Sequence, residues 1–129
     1  MKPELMWLVW AVALTVVQML IAVTGAFTQV GLMPLVGNRD SFPALTGWVG
    51  RADRAHHNML ENLVLFAALV LVASVSGKAN DMVVLGAQIF FWARLVYAAV
   101  YLAGVPWLRT GVWTVSVVGL VIIFLQLVR

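Results

Sequence analysis

Between Glu4 and Arg39 the chain carries no charged side chain, and between Arg109 and Arg129 it again carries none. A helix needs about 20 apolar residues to cross the hydrocarbon core of a bilayer. Each tract is long enough to do so, and such surfaces cannot be hidden in a water-soluble fold of this size. Hydrophobic residues make up 64% of the 129-residue chain and charged ones only 10%, which excludes an ordinary soluble domain. The net charge of +3 belongs to basic residues scattered along the flanks of apolar segments. With no basic run present, it is read as membrane topology and not as a nucleic-acid surface. There is no cysteine, so the chain offers no disulfide, thiolate metal site or thiol nucleophile of its own.

Breakers divide the sequence into four spans. The first is expected over about Met6 to Met33, ended by Gly31 and Pro34. Its apolar run exceeds the 7 to 15 residues of a signal-peptide core, so it is expected to be retained. Turn formers Gly37, Asn38, Asp40 and Pro43 mark a loop from Leu35 to Leu45. A second helix is expected from Thr46 to Val75, a third from Asp81 to about Gly104, and a fourth from Thr110 to the end. The fold class is therefore all-α, an antiparallel four-helix membrane bundle in one domain spanning residues 1–129. Arg39, Arg51, Arg54 and Arg109 lie toward the side of the first and third loops, against Lys2, Lys78 and Arg129 on the other. The positive-inside rule then puts the first and third loops in the cytoplasm.

The second helix concentrates its polar residues. At 100° per residue, Asn58 lies about 40° to one side of Arg54 and Glu61 about 20° to the other. Arg51, His57 and Asn62 extend the same stripe. A charge at mid-membrane costs at least about 2.5 kcal/mol, so the stripe is expected to face the bundle. Arg94, Tyr97 and Tyr101 form a matching stripe on the third helix, and Arg109 and Thr110 open the fourth at the same surface. Glu61 and Arg94, the deepest opposite charges, are expected to form a structural ion pair. His56 points about 160° away from Arg54 and is assigned to packing. Trp107 and Trp113 are read as interfacial aromatics. No His, Asp or Glu set has metal-ligand spacing, so no metal is expected.

The string Arg51-Ala52-Asp53-Arg54-Ala55-His56-His57-Asn58-Met59-Leu60-Glu61-Asn62 resembles the helix 2 motif of the MAPEG family, the membrane-associated proteins in eicosanoid and glutathione metabolism. The likeness extends from about Thr46 to Trp113 and is strongest to the short bacterial members, so it implies a bacterial inner-membrane protein. It also implies a homotrimer with glutathione bound between subunits. Arg54, Asn58 and Glu61 match positions that hold glutathione in the family, and Tyr97 and Tyr101 match helix 3 positions. Arg109 matches the arginine credited with stabilising the thiolate, and Thr110 the small hydroxyl residue beside it. His57, on the same stripe, is a candidate to meet an anionic ligand. The sequence departs from the eicosanoid enzymes at His57, at Trp113 and at the neutral end of the first helix, Phe27-Thr28-Gln29.

The resemblance thus implies a glutathione transferase or peroxidase acting by thiolate attack on lipophilic electrophiles that arrive from the lipid. The alternative is a non-catalytic lipid-binding member. A channel or transporter ranks last, because neither the first helix nor the fourth beyond Thr114 offers a polar path.

Overall fold

The computed structural model describes residues 1–129 and consists of five helices with no strand: α1 (Pro3–Val30), α2 (Leu32–Val36), α3 (Gly47–Val75), α4 (Asp81–Ala103) and α5 (Pro106–Leu127). Four of them, α1, α3, α4 and α5, are long and apolar enough to cross a membrane. The chain is an integral membrane four-helix bundle, and α2 is a single turn and a half after the first span.

Boundaries follow local chemistry. The first helix was expected to reach Met33 but stops at Val30, because Gly31 adopts φ 84°, a left-handed conformation that glycine tolerates without a Cβ clash. The last helix begins at Pro106, four residues before the expected Thr110; proline at a first helical position is already set for helix and lacks only an amide that would be unpaired there. The Asn80 side chain accepts from the Val83 amide at 2.9 Å and caps α4. Gly104 ends α4 in the left-handed region, its amide returning to Val100 and Tyr101 carbonyls.

The bundle has a rhombic section. α3 and α4 meet across its short diagonal, while α1 and α5 occupy opposite corners without touching. At its centre Phe66 and Phe90 stack with ring centroids 4.1 Å apart, surrounded by Met59, Val70, Ala87 and Ile123. Outward residues such as Val64, Leu65, Val121 and Leu125 are exposed, as lipid contact requires. Without water to drive helices together, close fit carries the association. A Cβ on Gly119 would stand 2.6 Å from the Gly86 carbonyl oxygen and 2.9 Å from the Phe90 amide, so α4 and α5 approach backbone to backbone.

The two ends are tied differently. At the end holding the termini, Lys78 Nζ donates to the Leu127 carbonyl at 2.9 Å and Asn80 donates to Gln126. At the other end α1 and the start of α3 run past the α4–α5 turn, joined where the Gln29 carboxamide donates to Thr46 and accepts its amide at 2.9 Å.

Candidate functional site

On the α3–α5 side of the rhombus, two adjoining recesses form one groove whose floor is α4. The wider, about 390 Å³, is lined by Arg54, His57, Asn58, Glu61, Tyr97, Tyr101 and Arg109. The narrower, about 180 Å³, shares Asn58, Tyr97 and Arg109 and adds Thr110 and Trp113. All eight residues singled out from sequence as binding or catalytic candidates therefore line one groove.

The helical period explains the convergence on α3, where Arg54, Asn58 and Glu61 succeed one another by one turn. Two tyrosines one turn apart supply the floor. Tyr97 and Tyr101 are 4% and 9% exposed and meet edge to face at 5.6 Å, backed by Ala55. Tyr101 is held by both neighbouring walls: Arg54 Nε donates to its hydroxyl at 3.3 Å, and the Arg109 guanidinium lies 4.6 Å from its ring centroid. A cation over an aromatic face is drawn to the ring quadrupole, so one phenol fixes the positions of two arginines on different helices. Arg51 braces the same region, its Nε donating to the Leu102 carbonyl at 3.0 Å.

The expected ion pair between Glu61 and Arg94 does not form. The only carboxylate contact of a basic group within salt-bridge range joins His57 to Asp53 at 3.6 Å. Arg94 is 1% exposed, and none of its guanidinium nitrogens has a hydrogen-bond partner. It lies instead 4.1 Å over the Tyr97 ring. Glu61 is exposed on the outer wall of the groove. Helical phase put both residues on facing stripes, but Arg94 turns along α4 onto the residue three positions on.

The stripe also differs from expectation in being open. Arg54, His57 and Glu61 are exposed on the surface of the chain and are not enclosed by its helices. Thr110 is exposed too, its hydroxyl donating to Pro106 at 3.3 Å.

Two contributors were missed. Asp53, assigned no role, orients His57: the ring Nδ1 lies 2.8 Å from its carbonyl oxygen as well as near its carboxylate. The four-residue spacing was the available signal. Trp113 was assigned to the membrane interface but lines the narrower recess, one turn beyond Arg109 on α5. Trp107, at 88% exposure, does project outward. His56 packs beside the His57 ring with Nδ1 buried and unpartnered, and it does not line the groove.

The arrangement gathers fixed cations, one free carboxylate and an amide along a trough open to one side. Such a set suits a small zwitterionic molecule with more than one anionic group. No curated protein and no solved structure gives a significant match to the chain. A family model does: the MAPEG family model matches residues 5–129, and the chain belongs to that family.

Proposed function

We propose that the α3–α5 groove binds glutathione and that the protein uses it as a transferase or peroxidase on lipophilic electrophiles. The observation that carries this reading is the Arg54–Tyr101–Arg109 clamp facing Glu61 in one groove. Glutathione bears two carboxylates and an ammonium group. Arg54 and His57 answer the carboxylates, Glu61 the ammonium, and Asn58 can bond either kind of group. Glutathione also brings a thiol, the sulfur nucleophile that this cysteine-free chain lacks. Arg109 and the Thr110 hydroxyl are the groups assigned to the catalytic step. A fixed cation beside a thiol favours its ionised form, and the thiolate is the reactive species.

The same reading makes the protein a homotrimer. Glu61 lies ten residues along α3 from Arg51, which is level with the end of α4. At 1.5 Å per residue that is about 15 Å into the bilayer, near the midplane of a core about 30 Å thick. An exposed carboxylate there is costly in lipid, and a neighbouring subunit would cover it. One domain, a bacterial inner-membrane location and cytoplasmic first and third loops complete the proposal.

The second reading, a non-catalytic lipid-binding member, is favoured by Gln29. It belongs to the neutral Phe27-Thr28-Gln29 end of the first helix, a region where the eicosanoid enzymes place a basic residue, and its carboxamide is committed to Thr46. Calorimetric titration of the detergent-purified protein with glutathione separates the two. Binding that is lost in Arg54→Ala supports the first reading, and no heat at millimolar glutathione supports the second.

A further inference from the structure

We propose that the cleft between α1 and α4 is a second binding site, for a neutral single-chain lipophile ending in a hydroxyl group. This site goes beyond the glutathione reading and does not depend on it.

The cleft lies on the side of the rhombus opposite the polar groove, with α3 as its floor. It has a volume of about 220 Å³ and exists because its walls are small: Ala52 on α3 and Ala98 and Ala99 on α4 leave room beside Leu14 of α1 and Leu102. Leu95 lines both this cleft and a second recess of about 290 Å³, walled by Trp7, Trp10, Phe91 and Trp92. The two make one apolar channel along the α1–α4 seam, running from aromatic rings at one end to the level of Arg51 and Leu102 at the other. Ala55 separates it from the polar groove, packing on Tyr97 and Tyr101 from behind.

One residue in the lining is polar. Gln18 is 7% exposed, makes no hydrogen bond, and its Oε1 is buried without a partner. Buried polar atoms in native proteins nearly always have partners, and the acyl chains that would otherwise fill the cleft provide none. A hydroxyl donates and accepts, so it matches the carboxamide whichever way the oxygen and nitrogen are turned. An acid head is disfavoured, because no Lys, Arg or His lines either recess. Chain and head thus fit different parts of one channel: the alkyl chain lies along the alanines and tryptophans, and the hydroxyl sits at Gln18.

The test uses the full chain in phosphatidylcholine vesicles without glutathione, and a photoreactive diazirine analogue of hexadecanol as the probe. Labelled peptides should map to residues 7–21 of α1 and 91–102 of α4. Unlabelled hexadecanol should compete, whereas hexadecane and hexadecanoic acid should do so at least about 5-fold more weakly. Gln18→Leu should weaken probe affinity about 2- to 10-fold, the loss of one neutral hydrogen bond. Ala99→Phe, on an exposed position where a ring can be held without disturbing the core, should abolish labelling of both segments and keep the parent melting temperature. Val121→Phe, on the outer face of α5, should change nothing. Labelling spread evenly over the α5 face, equal competition by hexadecane, or unchanged affinity in Gln18→Leu would each overturn the proposal. So would efficient crosslinking between copies by Gln18→Cys in this otherwise cysteine-free chain, since a second copy would then occupy the cleft.

Discussion

Tyr101 holds two arginines by two different parts of one side chain, and substitutions can separate them. Tyr101→Phe removes the hydroxyl that accepts from Arg54 Nε but keeps the ring under Arg109. The bond is long, at 3.3 Å, so its contribution belongs in the lower part of the 0.5 to 1.5 kcal/mol range for intramolecular hydrogen bonds. Glutathione Kd should rise about 2- to 5-fold, since about 1.4 kcal/mol corresponds to tenfold. The apparent pKa of the bound thiol should stay where it was, because Arg109 keeps its seat. Tyr101→Leu removes the ring as well, with a further loss of about 0.5 to 2 kcal/mol from the cation–π contact. Arg109 is then free to swing away, so this variant should both bind more weakly and raise the thiol pKa. Calorimetry measures the first quantity and thiolate absorbance against pH the second. The reasoning is refuted if Tyr101→Phe shifts the thiol pKa as far as Tyr101→Leu does, or if both variants match the parent in Kd.

Arg109→Ala should lower stability by no more than about 0.5 to 2 kcal/mol, the cation–π contact it makes over Tyr101, yet raise the bound thiol pKa; thermal melts and the same pH titration check the two halves. Gly119→Ala should destabilise the protein by about 1 to 3 kcal/mol, because the new methyl meets backbone atoms on α4 that cannot swing aside, and a melting temperature equal to the parent's would contradict this. Tyr97→Phe should be nearly neutral for stability. Tyr97→Leu should cost about 2 kcal/mol or more, since it strips the ring from beneath the buried Arg94 guanidinium, and equal melting of the two would show that the stacking contributes nothing.

The spans were legible in the sequence because their lengths are set by the bilayer, but their ends were less so: α1 stops before Gly31, short of the expected Met33, and α5 starts at Pro106, four residues before the expected Thr110. The groove was legible because a fixed 100° step puts Arg54, Asn58 and Glu61 on one face whatever surrounds them. Periodicity gives the face of a residue but not the reach or rotamer of its side chain. It therefore could not show that Arg94 stacks on Tyr97 while Glu61 stays on the outer wall, nor that Trp113, itself 39% exposed, borders the narrower recess while Trp107 does not. The α1–α4 cleft was invisible for a different reason. It depends on alanines from two helices meeting at the depth of Gln18, a coincidence that no single segment records.

The most direct test of the central claim is the thiolate absorbance of glutathione titrated across pH with the purified protein. An unperturbed thiol ionises near pH 8.5. If Arg109 stabilises the thiolate in the groove, the midpoint for bound glutathione should fall by about one unit or more and return toward the free value in Arg109→Ala. A midpoint indistinguishable from that of free glutathione, at protein and ligand concentrations where calorimetry shows binding, would contradict the account.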